Sequence, residues 1–313
     1  MKQNPDSIED LSPQELYLTA NNLFFGEGCE KDTQKALTYL RAAAEKGHAP
    51  AQDELGCYLM SLEGEWQQEA LLWFQKAASQ QDPSGEFHLG ALYLEGNLVE
   101  QDLKEALRLF TKAAQAGNSM AQCRLAGMYL EGKGVPVDYL EAEKWYLLSG
   151  EQGNVDAQFN LMQIYEAGVL GDPDYEEAVK WCRKAAEQGL KEAQLELGLS
   201  YTYGKGIEKD YAEAFQWYFK AAQQGEVNAL FNLGVFYANG MAVQRDYEKA
   251  RNLYTFAAKE GHDCAQNNLG FLYENGLGVP VDMEKALHYY KLSAAQGNEQ
   301  AIENLERLKK EGL

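Results

Sequence analysis

A chain of 313 residues is longer than a single compact core usually supports, and no Pro/Ser-rich linker divides it, so a stack of small units suits it better than one globule. The 48 acidic against 28 basic side chains leave a formal charge of −20, which excludes nucleic acid, whose binders need a basic surface to displace counterions; it favours solubility and basic or cationic partners. Five cysteines form no even framework, residues 1–10 have no apolar core for a signal peptide, and no apolar run reaches the roughly 18 residues of a membrane span. A reducing cytoplasm is therefore expected, with signal-independent secretion as an effector left open.

Residues 1–14 read as a polar, flexible leader. From there one phrase returns eight times, starting at Glu15, Ala51, Gly85, Ala121, Ala157, Ala193, Ala229 and Ala265, always 36 residues apart except for 34 between Ala51 and Gly85. Repeats of this length bury their apolar faces only against their neighbours, so the period implies an all-α solenoid through residue 300. The last stretch, 301–313, reads as a charged capping helix.

The sixth copy shows the register. Ala193, Leu197, Tyr201 and Gly204 fall at helical intervals and stop at Gly204-Lys205-Gly206, giving helix A; after Asp210, the residues Ala214, Trp217, Tyr218, Ala221 and Ala222 give helix B, closed by Gly225. Aspartate opens helix B in seven copies (Asp32, Asp102, Asp138, Asp174, Asp210, Asp246, Asp282), and in four a glutamate follows three residues later (Glu105, Glu141, Glu177, Glu213), the spacing of a reciprocal cap. Glycine closes helix B in seven copies (Gly47, Gly117, Gly153, Gly189, Gly225, Gly261, Gly297). Small residues on helix A (Gly56, Gly90, Gly198, Gly234, Gly270) and paired alanines on helix B let backbones approach, and large aromatics fill the remaining space.

Two copies depart from this. The one at Ala51 lacks two residues, reads Leu62-Glu63-Gly64-Glu65-Trp66 at its turn, and has Gln81 for the closing glycine; the one at Ala157 has Met162 in place of the small residue and a stiffer Gly171-Asp172-Pro173 connection. Locally altered curvature is expected at both.

The motif Leu197-Gly198-x-x-Tyr201-x-x-Gly204-x-Gly206, with Asp210, Ala214, Trp217-Tyr218, Ala221-Ala222 and Gly225, resembles the Sel1-like repeat, a relative of the tetratricopeptide repeat. The resemblance covers residues 15 to about 311. It implies a right-handed superhelix of αα-hairpins, helix A inside and helix B outside, and scaffolding or adaptor function without catalysis. Secreted proteins of this family carry a cysteine pair in each repeat, and Cys29, Cys57, Cys123, Cys182 and Cys264 do not repeat that pattern.

No chemistry assembles from motifs. Each Gly-x-Gly follows a helix instead of a strand, His48, His88, His262 and His288 never form His-Glu-x-x-His, and neither Ser-x-x-Lys nor Gly-x-Ser-x-Gly occurs. No cofactor, metal or catalytic residue is expected.

On a 100° wheel the third, fourth, seventh, tenth and eleventh positions of helix A lie opposite its packing side and define a partner-binding ridge. The candidate contact residues there are Phe87, His88, Arg124, Phe159, Asn160, Leu195, Glu196, Phe231, Asn232, Asn267 and Asn268. Asparagine amides would clamp an extended backbone and phenylalanines its side chains; the competing reading is that the aromatics simply reach the neighbouring hairpin. The functional expectation is a monomeric scaffold that binds a protein or peptide, with an immunity-like inhibitor of a basic toxin as alternative and a cell-wall or β-lactam hydrolase third.

Overall fold

The computed structural model describes residues 8–62, 64 and 66–312. Among them are 17 helices and no strand, each repeat folding as an A helix and a B helix packed together. Two compact units divide the chain, residues 1–157 and 158–313. The first holds the hairpins α1 (Pro13–Phe25) with α2 (Thr33–Glu45), α3 (Ala49–Met60) with α4 (Trp66–Ser79), α5 (Pro83–Glu95) with α6 (Leu103–Gln115), and α7 (Ser119–Glu131) with α8 (Tyr139–Glu151). The division falls within α9 (Val155–Ala167). The second unit holds α10 (Tyr175–Glu187), the hairpins α11 (Lys191–Tyr203) with α12 (Tyr211–Gln223), α13 (Val227–Asn239) with α14 (Tyr247–Lys259), α15 (Asp263–Asn275) with α16 (Met283–Ala294), and the closing α17 (Glu299–Lys310).

The helix ends follow the punctuation in the sequence. All seven aspartates cap their B helices, each side chain accepting from an amide in the first turn. The glutamates do not complete the reciprocal cap: Glu105, Glu141 and Glu177 pair with Arg108, Lys144 and Lys180. The amides they would have accepted from are already committed, since Asp102, Asp138 and Asp174 donate to the carbonyls of Tyr93, Tyr129 and Tyr165 at the end of the preceding A helix. A full reciprocal box forms instead at α1, between Ser12 and Glu15.

Residues 1–7 of the expected leader lie outside the described residues. From Ile8 the chain is docked: the Lys46 ammonium donates to the carbonyls of Ile8, Glu9 and Leu11, while Ile8 and Leu11 pack on the first core. Helix α1 already begins at Pro13, because Ser12 caps it. In the shortened copy, Glu63 and Glu65 lie outside the described residues; Gln81, where other copies place glycine, takes a φ of 63°. A side chain in that left-handed region costs about 1 kcal/mol or more.

Small meets large at fixed positions. A Cβ built on Gly198, Gly234 or Gly270 would lie 2.5 to 2.7 Å from the ring of Tyr218, Tyr254 or Tyr290 on the partner B helix. At Ala157's copy the sizes are exchanged: Met162 stands at the small position and Cys182 at the ring position, both buried. The oversized residue noted in the sequence thus has a matching small one 20 residues on.

A glutamine ladder runs beneath this packing. Buried Gln52, Gln122, Gln194 and Gln266 each donate to a carbonyl of the preceding B helix (Ala44, Ala114, Ala186, Ala258). Their oxygens, with that of Gln158, accept from Gln80, Gln152, Gln224, Gln296 and Gln188 at the end of the following B helix. Three copies lack the rung: the first has Leu16 and Lys46 at the two positions, the seventh has Leu230 and Glu260, and the third has Glu86 for the helix A glutamine and Ala116 for its partner.

Glu86 is 3% exposed, with the Lys112 ammonium 3.8 Å away, and burial raises its carboxyl pKa. An ionised carboxylate cannot donate to the Ala78 carbonyl as the glutamines do at equivalent places. Glu86→Gln should therefore stabilise the first unit at neutral pH by about 0.5–1.5 kcal/mol in urea unfolding. A raised native pKa means that the folded state takes up its proton at higher pH than the unfolded chain, so wild type gains stability as pH falls through that value and the advantage of the variant should shrink. Equal stability at neutral pH would contradict the assignment.

Candidate partner-binding face

Of the residues expected on the ridge, the third-position side chains turn inward. Phe87 and Leu195 are each 8% exposed and Asn267 is 6% exposed. The ring of Phe87 lies 5.9 Å from Phe110; half-buried Phe231 stacks on His262 at 4.4 Å and leans on Tyr254 at 5.8 Å; Phe159 is half-buried. The wheel treated helix A as having one packing side, but it is covered both by its own B helix and by the A helix of the next repeat. The third position of one copy meets the fourth of the next: Tyr17 donates to Glu54, His88 contacts Asp53 at 2.7 Å, and Asn304 donates to Asn267 at 3.1 Å. Phe87, Leu195, Phe231 and Asn267 are thus packing residues first, which corrects their placement on an open ridge.

The fourth-position residues stay at the surface. Arg124 is exposed; His88, Asn160, Glu196, Asn232 and Asn268 are half-buried. His88 is engaged with Asp53 and Cys57. Glu196 lines a small cleft with Glu166, Tyr175, Cys182 and Lys205, in which Lys205 pairs with Glu166 and stands over the Tyr175 ring at 4.4 Å. Burial and the Glu166 charge raise the Glu196 pKa. Burial also pushes the Cys182 thiol up to about 12, and the thiol donates to the Ala193 carbonyl, so this cysteine is a poor nucleophile.

In the second unit this face is open at the seventh and eleventh positions. Between α13 and α15 a cleft of about 260 Å³ is lined by Val235, Asn239, Tyr247, Tyr254, Asn268 and Phe271. Phe271 is 48% exposed, and Tyr203, at the eleventh position of α11, is 74% exposed. Exposed apolar rings beside amides offer a surface for apolar side chains and for a polypeptide backbone together. The seventh and eleventh positions were on the wheel but were not singled out; the signal available was Phe271, a lone aromatic at a position otherwise held by smaller or polar residues.

His48 and His262, which share a loop position, are helix caps: each Nδ1 accepts the amide three residues on, from Ala51 and Ala265. Asn118, Asn154 and Asn298 do the same elsewhere. All five cysteines are free thiols. Among the described residues no helix is long and apolar enough to cross a membrane.

Helical hairpins repeated without strands, locked by small–large contacts and a glutamine ladder, define an all-α solenoid of repeats. The family model for the Sel1 repeat matches residues 16–48, 49–82, 83–118, 119–154, 155–190, 191–226, 227–262 and 265–298, and the chain belongs to this family. It is similar to c5321, a protective antigen of uropathogenic Escherichia coli strains with the same repeat fold, at 33% identity and a TM-score of 0.87 over 96% of this chain and 65% of that one. A Sel1 repeat protein from Oxalobacter formigenes is 30% identical with a TM-score of 0.65, covering 77% of this chain and 96% of its own. An uncharacterized protein of Neisseria meningitidis is 38% identical over 80 residues, 26% of this chain and 16% of its own length. The chain thus spans about two thirds of the E. coli antigen and a small part of the neisserial protein.

Proposed function

We propose that the chain is a non-catalytic scaffold that holds a protein or peptide on the exposed face of its A helices, centred in the second unit on Asn232, Asn268 and Phe271. The observation that supports this most is the cleft between α13 and α15, where an exposed phenyl ring and side-chain amides share one rim. The Sel1-repeat scaffold is suited to protein–protein interaction. The charge of −20 favours a basic partner, whose association would slow as salt rises, and a basic toxin neutralised by an acidic inhibitor is the narrower form of the same reading. Five free thiols suit action in a reducing cytoplasm.

A photo-reactive phenylalanine analogue tests the face directly. Placed at position 271 in the native cell, it should trap a discrete partner; placed at Phe256, which is 62% exposed on α14, it should trap none. Trapping at 256 with none at 271 would move the site to the B helices.

A further inference from the structure

Three side chains in the first unit break the repeat pattern at one spot. Among the eight full copies Asp53 is the only acidic residue at the third position, Cys57 the only cysteine at the seventh and His88 the only histidine at the fourth. The other copies vary at these positions, with Glu54, Arg124 and Glu196 at the fourth and Cys123 at the third, but none brings a carboxylate, a thiol and an imidazole together at them. Asp53 and Cys57 are one helical turn apart on α3 and share a face, and His88 reaches them from α5.

Their donor atoms converge. His88 Nδ1 is 2.7 Å from Asp53 Oδ1, Cys57 Sγ is 3.7 Å from Nδ1 and 3.6 Å from Nε2 of the same ring, and the donor atoms of all three lie within 4.8 Å of one another. The sulfur is nearly equidistant from both ring nitrogens and so lies on the N–H axis of neither. That geometry is poor for a Cys–His proton transfer, which needs the thiol in line with one nitrogen. The three donor atoms nevertheless lie close enough together for one ion to reach all of them. We propose that Asp53, Cys57 and His88 bind a zinc ion that ties α3 to α5 in the shortened repeat.

Zinc favours thiolate, imidazole and carboxylate donors, a set that calcium and magnesium do not select. A tetrahedral centre with Zn–S near 2.3 Å and Zn–N near 2.0 Å sets sulfur and nitrogen about 3.5 Å apart, close to the 3.7 Å between Cys57 Sγ and His88 Nδ1, while the distance from Sγ to Nε2 lengthens as the ion takes its place on the Nδ1 lone pair. Nitrogen and oxygen would stand about 3.3 Å apart, so the His88–Asp53 contact opens by roughly half an ångström as metal replaces the proton between them. The thiol and imidazole protons leave to solvent on binding. Phe74 stacks on the His88 ring at 5.0 Å and 25°, which holds its plane, and the ring of Phe74 is itself seated against Gly56. Asp53 is 5% exposed, whereas the His88 side chain is 27% exposed, leaving an approach for the ion and a fourth position for water.

The second cluster of this kind, His262, Asp263 and Cys264, is already committed: His262 Nδ1 caps α15, and Asn298 donates to both Asp263 and Cys264. Cys264→Ser is therefore the control.

The full chain, reduced and stripped with chelator, is titrated with zinc against a chromophoric competitor and with cobalt(II) as spectroscopic probe. Wild type and Cys264→Ser should bind one ion per chain with an affinity on the order of micromolar or tighter, show a sulfur-to-cobalt charge-transfer band, and gain melting temperature on adding zinc. Cys57→Ser should lose the band. Cys57→Ser and Asp53→Asn should each weaken zinc by more than the roughly 10- to 100-fold that loss of an outer partner costs. Circular dichroism checks that each variant is folded; should Cys57→Ser unfold, the isosteric Asp53→Asn carries the comparison. No saturable one-to-one binding by wild type, or an undiminished band in folded Cys57→Ser, would overturn the site.

Discussion

Gly234→Leu should destabilise the second unit by about 1–3 kcal/mol, read from chemical or thermal unfolding of the whole chain. A Cβ at this position would stand 2.5 Å from Cε1 and 2.7 Å from Cδ1 of Tyr254, and Tyr254 is itself only 2% exposed, so its ring has little room to withdraw. Tyr254→Ala alone should cost more, about 3–5 kcal/mol, because a buried aromatic leaves a cavity as well as lost burial. The pair is diagnostic. If leucine at 234 is unfavourable because of that ring, the double variant Gly234→Leu/Tyr254→Ala should be more stable than the sum of the single effects predicts, since the leucine occupies part of the space vacated. Strict additivity, or a Gly234→Leu variant that melts like wild type, would remove the close-approach role of this glycine.

The features legible in the sequence are those decided within one helix or one turn. The aspartate caps and the closing glycines each depend on residues within a few positions of one another, and local backbone satisfaction requires them wherever the hairpin recurs, which makes the period from Glu15 to Ala265 visible. Contacts between repeats were not read. Asn267 with Asn304 is 37 residues apart and Gln224 with the Gly189 carbonyl is 35 apart, pairings that emerge only when copies are laid beside one another in space.

This is also why the ridge was drawn one position too wide. A wheel for a single helix cannot show that its third position is covered by the next A helix, so Phe87, Leu195, Phe231 and Asn267 looked as available as Asn232. The same reasoning accounts for the glutamates: Glu105 has the spacing of a reciprocal cap, but the Asp102 amide was already taken by the Tyr93 carbonyl. His88 was visible as a residue and invisible as a neighbour of Cys57, which lies 31 positions earlier.

Once a partner has been trapped at position 271, its affinity for surface variants tests the central claim, that the A-helix face of the second unit is the binding surface. Asn232→Ala/Asn268→Ala/Phe271→Ala removes two amides and one exposed ring. Net hydrogen bonds of about 0.5–1.5 kcal/mol each, with partial burial of the ring, amount to about 2–4 kcal/mol, or on the order of 30- to 1,000-fold in Kd. Far-UV circular dichroism should match wild type, because Phe271 is 48% exposed and the two asparagines are half-buried. Phe256→Ala on α14 should leave Kd unchanged. Undiminished affinity in the folded triple variant, together with loss of binding in Phe256→Ala, would contradict the account and assign the partner to the B helices.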